Sequence, residues 1–304
     1  MSVPDFQKIM LPLLKILGDK KEHHLKDITE ILSKIFNLTD NDRKELLPSG
    51  KQPIFNNRVG WAQTYLKKAG LIDSPKRTVF VITDLGINVL NQNQTTININ
   101  FLNQFSKFKD FHTAKKEDNT ASEAINNNEE QTPEEIIETT YTQLRESLAH
   151  DLLEKVLNQS PYFFENLVIE LLVKMGYGGS IKEAGSATKK SGDEGIDGII
   201  KEDKLGLDVI YIQAKKWKKD STVGRPDIQR FVGALAGQGA KKGIFITTSC
   251  FSKEAREYTT RNETKIVLID GEQLCNLMID YNIGVATSQL FELKKLDNDY
   301  FEGE

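Results

Sequence analysis

A polar interval divides this sequence in two. Between about Asn91 and Thr140 the chain carries nine asparagines, from Asn91 to Asn128, and an acidic run near Glu129 to Glu138. Such a composition buries too little apolar surface to offset the entropy of ordering it, so the interval reads as a linker. On either side the hydrophobic pattern becomes periodic, and the 304 residues divide into two domains. The expected boundaries are a first domain at 1–92, a linker at 93–140 and a second domain at 141–304. Within the linker, Phe101, Leu102, Phe105, Phe108 and Phe111 have the spacing of one short packed segment.

The first domain is mainly helical. Phe6, Ile9, Met10, Leu13, Leu14 and Leu17 recur at threes and fours, the stripe of an amphipathic helix, and Leu25 to Phe36 repeats it. A third helix is expected from about Asn57 to Ala69, ending at Gly70. A hairpin follows, turning at Asp73-Ser74-Pro75-Lys76-Arg77, and a short helix from Asp84 to Leu90 closes the unit.

The second domain alternates strands with helices. Ser160-Pro161 sets an N-cap and a proline in the first turn of a helix that runs to Gly176. Strands are expected at 195–200, 209–215, 243–248 and 265–269, with helices at 226–240, 252–259 and 271–280. That alternation predicts an α/β domain around a mixed sheet. The run Gly233-Ala-Leu-Ala-Gly237-Gln-Gly239 lacks the Gly-Lys-Ser/Thr of a phosphate loop, and reads as a site of close helix packing.

The chemistry-bearing stretch is Gly192-Asp-Glu-Gly-Ile-Asp197-Gly, followed sixteen residues after Asp197 by Gln213-Ala-Lys215. Strand side chains alternate, so Val209, Tyr211, Gln213 and Lys215 share one face, and Ile210, Ile212 and Ala214 cover the other. A short strand carrying Asp197 can pair beside it through the Lys201–Gly206 turn. A carboxylate, an amide oxygen and an ammonium then converge, which is a set suited to metal-assisted phosphodiester hydrolysis. Asp197 and Gln213 are the candidate oxygen ligands of Mg²⁺, and Lys215 is the candidate activating cation. The preferred second acid is Glu165, at the margin of its helix's apolar stripe. Glu170 points about 130° away from that stripe, towards water.

These motifs resemble a known family. Ser160-Pro-Tyr-Phe-Phe-Glu165, Met175-Gly-Tyr, Gly192-Asp-Glu-Gly-Ile-Asp197-Gly, Tyr211-Ile-Gln-Ala-Lys215-Lys-Trp217, Val223-Gly-Arg-Pro226 and Phe245-Ile-Thr-Thr-Ser249 are similar to the Mrr restriction endonuclease catalytic domain. Asn57-Arg58-Val-Gly-Trp61-Ala and Leu66-Lys-Lys-Ala-Gly-Leu71 resemble the N-terminal winged-helix domain of that family. Leu296-Asp-Asn-Asp-Tyr-Phe-Glu302 matches its C-terminus. The resemblance implies a PD-(D/E)xK restriction-endonuclease-like mixed sheet flanked by helices, in a branch where glutamine replaces the acid before the lysine. It implies Mg²⁺-dependent cleavage of double-stranded, methylated DNA by a type IV enzyme, with Asp197, Gln213 and Lys215 catalytic and Glu165 the acidic helix residue. The sequence departs from the family's loop at Glu194, which stands at a position usually occupied by glycine.

By the same reading, Asn57, Arg58, Lys67, Lys68, Lys76 and Arg77 fall on the expected recognition helix and wing, and are the candidate DNA contacts of the first domain. Lys216 and Arg225 are the candidates in the second. Cutting both strands with one site per chain calls for a homodimer or a higher homo-oligomer on DNA. The net charge of −4 argues against nucleic acid only as a sum. Residues 1–111 carry +5, residues 112–140 carry −6 and the remainder −3. Two cysteines, no signal-like start and no long apolar run fit a cytoplasmic protein without a membrane span. The residues leave open two other readings, a structure-specific or repair nuclease indifferent to methylation and a non-catalytic winged-helix regulator.

Overall fold

The computed structural model describes residues 3–113, 130–178, 195–202, 207–218, 220–260, 264–297 and 300. The chain separates into two units, Met1–Leu144 and Arg145–Glu304. Among the described residues no helix is long and apolar enough to cross a membrane.

The first unit contains α1 (Phe6–Ile16), β1 (His23–His24), α2 (Leu25–Ile35), α3 (Asp40–Lys44) and α4 (Ile54–Lys68). The hairpin β2 (Ile72–Lys76) and β3 (Val79–Ile82) follows, and α5 (Asp84–Asn91) closes the series. The strands form an antiparallel sheet in the order β1-β3-β2, the small sheet and wing expected beside a helical bundle. Asp5 caps α1 by accepting from the Lys8 N–H, and Thr83 caps α5 through Gly86. Apolar residues of α1, α2 and α4 meet in one core, including Phe6, Leu13, Leu14, Ile28, Leu32, Phe55 and Leu66.

The polar interval holds more structure than its composition predicts. Helices α6 (Ile99–Leu102) and α7 (Ser106–Thr113) bury Leu102 and Phe108 against that same core. The cause is local: Phe101 and Phe105 flank the turn between the two helices, and Phe108 and Phe111, three apart, give α7 an apolar edge inside a polar stretch. Helix α8 spans Pro133–Leu157, so it begins inside the interval that composition reads as a linker.

The second unit contains α9 (Pro161–Lys174), β4 (Gly198–Lys201), β5 (Val209–Lys215), β6 (Thr222–Val223), α10 (Arg225–Gly237), β7 (Lys242–Thr247) and β8 (Cys250–Phe251). It closes with α11 (Lys253–Thr260), β9 (Lys265–Ile269) and α12 (Gly271–Asp280). The main sheet runs β4-β5-β7-β9, antiparallel between β4 and β5 and parallel beyond, so it is the mixed sheet expected. Strands β6 and β8 form a separate parallel pair that the apolar pattern does not announce. Helices cover both faces. Phe164, Val168 and Leu172 of α9 pack with Ile210, Ile212, Ile244 and Ile246, whereas Ile228, Phe231 and Leu235 of α10 pack with Phe245 and Phe251.

The close helix approach expected at Gly233 lies elsewhere. A Cβ at Gly233 meets nothing within 4 Å, but one at Gly243 sits 2.8 Å from both Leu235 and Phe231. The strand, and not the helix, supplies the small residue.

Candidate active site

Three elements deliver the candidate groups. Strand β5 ends at Lys215, with Gln213 one pleat earlier, opposite Phe245 of β7. The turn before β4 supplies Asp197, and the second turn of α9 supplies Glu165. Asp197 is fixed on both sides of its backbone. Its N–H donates to the Ile212 carbonyl at 2.8 Å, and its Oδ2 accepts from the Ala214 N–H at 2.7 Å. The carboxylate is therefore held at the edge of β5, between Gln213 and Lys215 in register.

Burial sets the electrostatics. The Asp197 carboxyl is pushed up by burial, opposed by the Ala214 N–H and by the positive charge of Lys215. Glu165 is also pushed up, first by burial and then by the negative charge of Asp197, so these two carboxylates sense each other. Glu170 is exposed, as its position on the helix predicts.

Gln213 is only 5% exposed, and no described residue hydrogen-bonds its side-chain amide. Gly195 lies directly over that amide: its φ is +95°, and a Cβ there would stand 2.6 Å from Gln213 Nε2. The Lys215 ammonium forms no ion pair among the described residues. Among the described residues, a buried amide without a partner, two mutually repelling carboxylates and an ammonium without an ion pair make an arrangement that a hard divalent cation with oxygen ligands would complete. No group of three or more His, Cys, Asp or Glu suited to a metal occurs among the described residues. The oxygen groups available there are the carboxylates of Glu165 and Asp197 and the Gln213 amide. Glu194 lies outside the described residues.

The strand end is braced by two threonines of the Phe245-Ile-Thr-Thr-Ser249 run. Thr247 Oγ1 donates to the Lys215 carbonyl at 2.8 Å, and Thr248 Oγ1 accepts from the Trp217 N–H and donates to the Trp217 carbonyl. Both threonines are buried. A polar triplet following the apolar run Ile244-Phe245-Ile246 is the signal that marks them.

The DNA candidates fare unevenly. Asn57 is 3% exposed, donating to the Glu134 carboxylate while its Oδ1 accepts from Thr132 Oγ1 at 2.6 Å. Arg58 pairs with Glu135 through two N–H···O contacts of 2.7 and 3.0 Å, and also donates to the Val3 and Pro4 carbonyls. Neither side chain is open to DNA. Their expected role is corrected, because the phase of α4 turns them beneath the first turn of α8. Lys216 is partly exposed, and its Nζ donates to the carbonyls of Leu157 and Gln159, capping the end of α8. Lys67, Lys68, Lys76, Arg77 and Arg225 are exposed. Lys68 sits 5.1 Å from the Phe111 ring centre, and Arg225 5.1 Å from that of Tyr258.

Comparison with known proteins agrees with this architecture. Residues 156–278 match a family model described as a restriction endonuclease, the Mrr catalytic domain, and residues 6–92 match the Mrr N-terminal domain. A curated relative, the type IV methyl-directed restriction enzyme EcoKMrr of Escherichia coli (strain K12), is 38% identical over 316 aligned residues, spanning 99% of this chain and 100% of that one. Among solved structures, the MspJI restriction endonuclease in complex with a 27-mer oligonucleotide is 25% identical, with a TM-score of 0.36, covering 46% of this chain and 33% of that one. The DNA modification-dependent restriction endonuclease AspBHI is 16% identical, with a TM-score of 0.35, covering 46% and 36%. This chain thus spans about a third of each solved chain. With both family domains present in order, and a relative matched from end to end, the chain belongs to the Mrr family of restriction endonucleases.

Proposed function

We propose that this restriction endonuclease hydrolyses phosphodiester bonds of methylated double-stranded DNA with Mg²⁺, and that Asp197, Gln213, Lys215 and Glu165 form its catalytic site. The observation that carries the site assignment is the buried Gln213 amide, without a hydrogen-bond partner among the described residues, lying in register with the hydrogen-bonded Asp197 carboxylate. The methyl preference is carried over from the named activity of the relative in E. coli. In this reading the first unit binds DNA, the second cuts it, two or more copies act together, and the protein works in the cytoplasm.

When bound, a divalent cation supplies Lewis-acid polarisation of the phosphate and a lower pKa for a ligated water. The chain's own groups do the rest. Glu165, Asp197 and Gln213 offer the oxygen ligands. The Ala214 N–H and Ile212 carbonyl keep Asp197 in one orientation, so no reorganisation is required of it during reaction. Lys215 orients the attacking water and offsets the charge that develops on the phosphate.

The deciding experiment digests otherwise identical methylated and unmethylated plasmids, with and without Mg²⁺. Cleavage confined to methylated plasmid with metal is expected. Equal cutting of both plasmids would remove the methyl-directed reading. Lys215→Ala is expected to lower cleavage by at least about a hundredfold while leaving DNA binding intact. Nicking at the wild-type rate by that variant would show that the site lies elsewhere.

A further inference from the structure

Helix α4 has four sides, and three of them are occupied. Phe55, Val59, Ala62 and Leu66 lie in the core. Asn57, Arg58 and Trp61 are engaged by Thr132, Glu134 and Glu135. Tyr65 and Lys68 contact Phe111 of α7. What remains is the stripe Asn56, Gly60, Gln63 and Lys67, with Thr64 beside it, spaced at four, three and four along one face.

This stripe differs chemically from the side beneath α8. A Cβ at Gly60 meets nothing within 4 Å, so the helix backbone is bare at its midpoint. The stripe runs into a concavity of about 520 Å³ lined by Gln63, Thr64, Lys67, Lys68, Lys107 and Phe111. None of these three ammonium groups is paired with a carboxylate among the described residues. Lys68 rests on the Phe111 ring, which fixes one of them in place. Thr64 spends its hydroxyl proton on the Gly60 carbonyl at 2.9 Å, leaving oxygen lone pairs outward. The face therefore offers amides that can read base edges, a low point where a groove floor can approach, and a cluster of cations at one end that no carboxylate of the described residues pairs. That is complementary to duplex DNA.

We propose that the first unit engages duplex DNA through Asn56, Gly60 and Gln63, with Lys67, Lys68 and Lys107 closing on the adjacent phosphates. The proposal deepens, and rests on, the reading of the first unit as the DNA-binding unit. It moves the contact surface from Asn57 and Arg58 to the neighbouring face of the same helix, and it adds Lys107, which lies outside the expected recognition helix.

The test is fluorescence anisotropy of full-length protein on a labelled methylated duplex, without divalent metal, across a salt series. The double variant Lys67→Ala with Lys107→Ala should weaken binding and reduce the slope of log K against log salt by about two. Gly60→Leu adds a side chain into open space without changing charge, and should weaken binding at least tenfold with an unchanged unfolding midpoint. Gln63→Ala should relax discrimination between duplex sequences by about five- to a hundredfold. Wild-type affinity in all three variants, with wild-type protein still binding and cutting DNA, overturns this surface and leaves the proposed function standing. Failure of the wild-type protein to bind or cut any duplex overturns the functional reading and this surface with it.

Discussion

Gly195 and Gln213 form the tightest constraint at the scale of single residues. Gly195 has a left-handed φ of +95°, where a side chain is strained, and the space a Cβ would need is held by the Gln213 amide. Because Gln213 is almost fully buried, its amide cannot swing aside into solvent. Gly195→Ala is therefore expected to cost about 1–3 kcal/mol in backbone strain. It should also lower cleavage by about a hundredfold through displacement of the amide. Thermal unfolding beside plasmid cleavage checks this, and a variant with unchanged cleavage would show that the amide position is immaterial. Gln213 and Lys215 are legible in the sequence because strand alternation with period two fixes their faces without knowledge of any partner. Asp197 stands in the turn before β4 and not in the strand expected to carry it, so its motif marks it and alternation does not. Asn57 and Arg58 are not legible. Their environment is set by Thr132, Glu134 and Glu135, roughly 75 residues away, and no local pattern reports that contact.

At the scale of elements, the first turn of α8 behaves as part of the N-terminal core. Thr132 is fully buried, and the Arg58–Glu135 pair has side chains only 17% and 6% exposed. Removing one partner of a buried ion pair leaves an uncompensated charge, typically at a cost of about 3–5 kcal/mol. Glu135→Ala is accordingly expected to destabilise the first unit by an amount in that range. Urea unfolding followed by Trp61 fluorescence measures it, since Trp61 also donates to Glu134. A shift below about 0.5 kcal/mol would mean the contact is incidental. Composition assigns this turn to a linker because Glu134, Glu135 and Glu138 are charged, and charge is a poor guide once Arg58, Asn57 and Ser49 supply partners. The strands and helices of the second unit are legible nearly to their ends, because apolar periodicity there coincides with burial. Strands β6 and β8, two residues each, are too short to carry a period.

At the scale of the whole molecule, the uneven charge has a structural counterpart. Part of the acidic interval is spent on Arg58 and Asn57, whereas Lys67, Lys68 and Lys107 keep their charge free of carboxylates among the described residues. The sum of −4 therefore conceals a basic face. The arrangement of the sheet has a consequence for the cell that makes the enzyme. Glu165, Asp197, Gln213 and Lys215 are all synthesised before β7, yet β5 is held on its β4 side alone until β7 pairs in parallel on the other and Thr247 bonds the Lys215 carbonyl. Parallel pairing requires the α10 crossover to be complete, so it is among the slower, non-local events of folding. A chain stopped at Lys241 holds every proposed catalytic side chain and is expected to leave plasmid uncut in a nicking assay. Cutting by that fragment would show that the site assembles without β7. By the same expectation the partly made polypeptide cuts nothing, and nuclease activity starts only when the sheet closes.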